Sequence, residues 1–155
     1  MAFEKAEVPS FYSSNYNVLK RVKAVFLAAK EDFEGGYMAS VKKLVHAEVF
    51  DSELEQASEL LSAGYASAAV VIAGVVLETT LRNLCNEKGI PIGKLDKINS
   101  DLAKSGAYNA LVHKRITALE GIRNSAAHGK TNEFTREDAG GMISEIEKFV
   151  STTLA

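Results

Sequence analysis

The chain has no tryptophan, one cysteine and two prolines among its 155 residues. Each shortage excludes something. The lone Cys85 has no partner for an internal disulfide, so no covalent framework holds the fold. It sits in an apolar stretch of helical spacing and reads as a small core residue. Two prolines leave room for long, uninterrupted helices. Neither sign of charge dominates, with 18 basic against 20 acidic residues and a net charge of −2. The average surface is therefore not that of a general polyanion binder. The most apolar run, Ala66 to Leu77, is interrupted by Ser67 and is too short to cross a bilayer. The start, Met1-Ala2-Phe3-Glu4-Lys5, lacks the charged-then-apolar pattern of a signal peptide. These shortages predict a soluble, cytoplasmic protein with no membrane partner.

What is present is helical periodicity. A length of 155 residues and a hydrophobic fraction of 46% suit one compact domain with a real core. The first ten residues read as loose. From about Phe11 to Glu34, Val18, Val22, Val25, Ala29 and Phe33 recur at three- and four-residue steps and mark an amphipathic helix, which Gly35-Gly36 ends. Tyr37 to Ser62 continues in the same way, with Asp51-Ser52 as a cap that splits it. Tyr65 to Lys88 is apolar on more than one face, as expected of a central helix or one covered by a second copy. Gly89-Ile90-Pro91-Ile92-Gly93 breaks the pattern. A short helix from Lys94 to Lys104 and a long one from Tyr108 to His128 follow, with Gly129 suited to the left-handed position past its end. Thr135-Arg136-Glu137-Asp138 approximates a capping box before a final helix with Ala139, Met142, Ile143, Ile146, Phe149 and Val150 on one stripe. No alternating strand pattern occurs. The prediction is an all-α, up-and-down helical bundle of five or six helices. Residues 1–50 form an N-terminal helical extension packed on a core bundle of residues 51–155.

Charge is distributed unevenly. Residues 51–60 carry Asp51, Glu53, Glu55 and Glu59 and no base, whereas residues 104–136 carry six basic residues against Glu120 and Glu133. The basic segment surrounds the most chemically loaded run of the chain, Gly121-Ile122-Arg123-Asn124-Ser125-Ala126-Ala127-His128-Gly129. Arginine is a permanent cation with a fork of donors that suits phosphate. Histidine changes charge near neutral pH. Metal-free cleavage of an RNA phosphodiester needs a base for the 2′-OH, an acid for the leaving oxygen and a cation for the phosphorane charge. Arg123 and His128 supply these residue types, and two copies in a dimer supply two of each. On an ideal helix five residues advance about 140°, so Arg123 and His128 do not share a face, whereas Asn124 and His128 do. Ala126 and Ala127 keep the surface between them low. The structural alternative is that His128 caps the helix end and complements its dipole while Arg123 pairs with a carboxylate. Glu78, inside the most apolar helix, is costly unless paired. It either orients Arg123 or points to solvent. Lys130 and Arg115 belong to the same basic segment and, with Glu78, are the candidate substrate-binding residues. His46, His113, His128 and Cys85 show no metal-ligand spacing, so no metal or cofactor is expected.

The Arg-Asn-x-x-x-His run at the end of the penultimate major helix resembles the signature of the HEPN superfamily. Ala73-Gly74-Val75-Val76-Leu77-Glu78 with Leu81-Arg82-Asn83-Leu84-Cys85 and Gly89-Ile90 is similar to the preceding core helix of uncharacterised bacterial HEPN-like proteins. The tail Glu133-Phe134-Thr135-Arg136-Glu137-Asp138 is similar as well. The resemblance spans roughly residues 50–154. It implies a helical bundle that forms a homodimer, with the signature residues near the interface. It also implies a metal-independent endoribonuclease acting on RNA, in toxin–antitoxin, phage-defence or RNA-processing systems, with an antitoxin as a further partner. Carried over, Arg123 binds phosphate and stabilises the transition state, Asn124 orients the site, and His128 transfers a proton. The superfamily also contains non-catalytic nucleotide-binding and scaffolding domains, so a binding or dimerisation module is the alternative.

Overall fold

The structure, a computed structural model, describes residues 8–154. Among them the chain is all-α, with six helices and no strand. These are α1 (Val8–Glu34), α2 (Tyr37–Ser62), α3 (Ala66–Lys88), α4 (Leu95–Lys104), α5 (Ala110–Ala127) and α6 (Arg136–Leu154). The chain divides into two compact units between Leu44 and Val45, inside α2 and before the boundary expected at residue 50.

In the first unit, α1 begins earlier than its periodicity suggests. Val8, Pro9 and Ser10, read as loose, are helical. Pro9 is tolerated because the first turn of a helix has no intrahelical acceptor for the N–H that proline lacks. Residues 1–7 lie outside the described residues. The apolar positions Val18, Val22, Val25 and Phe33 of α1 are exposed. α2 is one continuous helix, so Asp51-Ser52 does not split it. Both residues are exposed, while Phe50, Leu54 and Ala57 on the other side are buried. Burial of that face outweighs the local capping preference of an aspartate and a serine.

The second unit is organised around α3, which packs on α4, α5 and α6. Ala69, Val70, Ala73, Val76, Leu77, Leu81 and Cys85 are all fully buried along it. Ile98 and Leu102 of α4, Ile116 of α5, and Met142 and Ile146 of α6 close the core around them. Each such large apolar side chain contributes about 1.5–3 kcal/mol relative to exposure. By length and composition alone α3 is long and apolar enough to cross a membrane, because the helix runs on past Leu77. Half of its most apolar window is buried inside the protein, the pattern of a core helix. Burial also raises the Cys85 thiol pKa.

Buried polar bonds fix α4 against α5. Asn99 is fully buried; its amide donates to the His113 carbonyl at 3.2 Å and to Thr117 Oγ1 at 3.1 Å. The Tyr108 hydroxyl donates to Asn99 Oδ1 at 2.8 Å. The helix ends follow from local chemistry. Asn109 caps α5 by accepting from the Leu111 and Val112 amides, each at 3.0 Å. Thr135 and Asp138 form the capping box of α6, with reciprocal bonds of 2.8 Å and 3.1 Å. α5 closes in a Schellman motif: Lys130 N–H bonds to the Ser125 carbonyl, Gly129 N–H bonds to the Ala126 carbonyl, and Gly129 has φ 71°. His128 is therefore the residue at the helix end, just before the reversal.

Candidate functional site

Helices α3, α4 and α5 line a cleft of about 490 Å³. Its walls are Glu78 and Arg82 from α3, Lys94, Leu95 and Asp96 from the start of α4, and Glu120, Arg123 and Asn124 from α5. Three basic and three acidic side chains thus face one opening.

The centre is Glu78, held between two guanidinium groups. Arg82, one turn along α3, donates Nε at 3.0 Å and Nη2 at 2.7 Å to Glu78 Oε1. Arg123 crosses from α5 and donates Nη2 to Glu78 Oε2 at 2.9 Å. Its Nη1 donates to Asn124 Oδ1 at 3.2 Å. The carboxylate that α3 carries among apolar residues is therefore paired twice, the condition its cost requires. Each guanidinium has five N–H donors, so both retain donors beyond these bonds. Arg123 can cross here because α3 has no side chain at Gly74. A Cβ on Gly74 would overlap Cγ of Arg123 and lie 3.3 Å from its Cβ.

Two further features shape the cleft. α4 begins at its mouth, and Lys94, the capping residue, makes no side-chain bond to the first amides of the helix. The positive end of that helix dipole adds to the basic side chains. At the floor, Glu120 is only 7% exposed, and its Oε1 is buried with no hydrogen-bond partner among the described residues. Burial and, to a smaller extent, the charge of Asp96 push its carboxyl pKa up to about 7 against the opposing charge of Arg123. Burial thus favours the neutral acid over the carboxylate.

Arg123, Asn124 and Glu78 meet in the cleft; Glu78 pairs with Arg123 rather than pointing to solvent, and the same bond is the carboxylate pairing of Arg123 that the structural alternative expects. His128 does not line the cleft; it is exposed at the end of α5. Counting four residues from Asn124 places it about 6 Å further along the helix and about 40° around it. Arg115 lies elsewhere, pairing with Glu145 of α6 at 3.6 Å beside a groove lined by Leu77, Ile116 and Phe149. Lys130 lies past the helix reversal and pairs with Glu133 at 3.1 Å. The same Glu133 accepts from Ser125 at 2.7 Å. Neither Arg115 nor Lys130 contributes to the cleft, because Arg115 lies about two turns before Arg123 on α5 and Lys130 lies past the end of that helix. Residue chemistry alone missed Arg82, Lys94, Asp96 and Glu120. The Glu78–Arg82 spacing of four is a readable signal for the first. Glu120, four residues after Ile116 on the buried side of α5, is one for the last. Among the described residues no group of three or more His, Cys, Asp or Glu side chains is arranged to hold a metal ion.

A family model, that of a domain of unknown function (DUF4145), matches residues 55–155. No curated protein and no solved structure matches the chain.

Proposed function

The chain belongs to the DUF4145 family, and we propose that as a member it grips one RNA phosphodiester in the α3–α4–α5 cleft and cleaves it without metal, as a homodimer. The observation that carries this reading is the pair of guanidinium groups, Arg82 and Arg123, held on the single carboxylate of Glu78 in an open cleft. Glu78 stiffens both arginines and leaves the node with one net positive charge. Their remaining donors suit phosphate oxygens, which accept charge-assisted bonds from paired guanidinium forks. Asn124 fixes the rotation of the Arg123 fork. The resemblance of Arg123-Asn124-x-x-x-His128 to the HEPN signature supports extending the reading from binding to cleavage.

In that reaction the 2′-OH loses its proton and attacks phosphorus, and the leaving 5′ oxygen gains a proton. Arg123 stabilises the charge on the phosphorane. His128, which lies outside the cleft wall at the end of α5 and is open to solvent, exchanges one of the two protons on RNA that runs from the cleft across this helix end. A second copy supplies a second arginine–histidine set, so one scissile bond is served by two histidines. A toxin–antitoxin or phage-defence setting, with an antitoxin that covers this face, is the biological extension of the same reading. Purified protein incubated with a mixed RNA pool in EDTA tests it. Wild type is expected to cut and leave 2′,3′-cyclic phosphate ends, while His128→Ala and Arg123→Ala remain folded and inactive. Intact RNA with the folded wild-type protein, or equal cutting by all three, overturns it.

A further inference from the structure

The cleft contains one group that phosphate binding alone does not require. Glu120 is a buried carboxyl on α5 whose Oε1 has no partner among the described residues. It lines the same opening as Arg123 and Arg82. A buried carboxylate without a partner is costly, whereas a buried carboxylic acid is less so and can donate a hydrogen bond. We infer that Glu120 is the proton-carrying residue of the cleft: an oxyanion of the phosphate-ester class enters together with a proton on Glu120 and is released when that proton is lost. This inference rests on the anion-binding part of the reading above.

The surrounding charges support it. Lining the cleft with Glu120 are Glu78 and Arg82 from α3, Lys94 and Asp96 from α4, and Arg123 from its own helix, of which Asp96 and Arg123 act on its charge. With every carboxyl ionised, the three bases of the cleft are matched by three acids. With Glu120 protonated, one positive charge is left over. An entering anion favours that second state, because its charge repels an ionised Glu120. Asp96 acts in the same direction, since its charge disfavours a second carboxylate nearby. Tyr108 and Cys85, the other titratable groups coupled to this region, are both held neutral by burial. Burial and the charge of Asp96 push the carboxyl up to about 7, which sets the exchange expected in the neutral range.

The test follows the side-chain carboxyl carbon of Glu120 by NMR between pH 5 and 9, assigned with Glu120→Gln, in sodium chloride and in sodium sulfate at equal ionic strength. Sulfate is the probe because it does not itself titrate in this range. The expected result is a midpoint near neutrality in chloride that rises by about half a pH unit or more in sulfate. Binding of an uncleavable 2′-O-methyl RNA is then expected to weaken up to about tenfold per pH unit above that midpoint, and to lose this dependence in Glu120→Gln. A background of His128→Asn removes the histidine contribution. A midpoint below 6, or one that sulfate leaves unmoved, overturns the inference whatever RNA does. A sulfate-raised midpoint in a protein that neither binds nor cuts RNA supports the proton-linked anion site and overturns the RNA reading.

Discussion

Gly74→Ala tests whether Arg123 owes its position to the absence of a side chain on α3. The added methyl overlaps Cγ of Arg123 and lies 3.3 Å from its Cβ, near the root of the side chain rather than at its mobile tip. The stem cannot swing aside without leaving Glu78. Overpacking of this kind costs about 1–3 kcal/mol. Against it stands the gain of about 1 kcal/mol from replacing glycine by alanine inside a helix. Gly121→Ala on α5 isolates the difference, since an added Cβ there meets nothing within 4 Å and the helix gain is the same. Gly121→Ala is expected to raise Tm, and Gly74→Ala to fall below it by the steric term. At about 2–4 °C per kcal/mol that gap is roughly 2–12 °C. Calorimetry measures it, and RNA cleavage by the same two proteins should show activity lost in Gly74→Ala and kept in Gly121→Ala. Equal melting temperatures and equal activities would refute the packing of Arg123 against α3.

Further outcomes follow from the same geometry. His128→Ala leaves stability unchanged, because the residue is exposed at a helix end, while RNA cleavage falls by about 10²–10⁴-fold in a gel assay. Glu120→Gln changes how stability depends on pH. The wild-type carboxyl holds its proton more tightly when folded, at about 7 against an ordinary 4.5. Its contribution is therefore complete below about pH 4.5 and is lost as pH rises through about 7, an effect of up to about 3 kcal/mol. Urea melts at pH 5 and pH 8.5 should show wild type losing stability relative to Glu120→Gln on going alkaline. Asn109→Ala removes the acceptor for two amides at the start of α5 and is expected to cost about 1 kcal/mol in the same melts.

Much of the second unit was legible from periodicity. The central role of Tyr65–Lys88 followed from apolar residues on several faces, and α3 is buried on several faces. The C-terminal end of α5 and the start of α6 were readable because Gly129 and Thr135–Asp138 act locally, whereas α5 starts at Ala110, after the Asn109 cap, and not at Tyr108. The Asp51-Ser52 break was misread because capping preference is local and weak, whereas Phe50, Leu54 and Ala57 bury one face across it. The site was half legible. Arg123, Asn124 and Glu78 stand out as polar residues in an unusual context, and they do meet. Arg82, Lys94 and Asp96 resemble ordinary surface charges until α3 and α4 are folded together. Arg115 and Lys130 look equivalent to Arg123 in a charge count, yet their places near the start of α5 and past its end put them beside Glu145 and Glu133 rather than in the cleft. Spacings of three or four identify local pairs such as Glu78–Arg82 and Lys130–Glu133, but not the pairing of Arg123 with Glu78 across helices.

The most direct measurement is the fluorescence anisotropy of a labelled, uncleavable 2′-O-methyl RNA titrated with wild type, Arg82→Ala and Arg123→Ala at pH 6.5 and fixed salt. With Glu78 still paired to the remaining arginine, each variant keeps its fold by circular dichroism. The account predicts that each substitution weakens binding by about tenfold or more, the loss of one charge-assisted phosphate contact. Wild-type affinity in both folded variants would contradict it and remove the α3–α4–α5 cleft as the place where RNA is held.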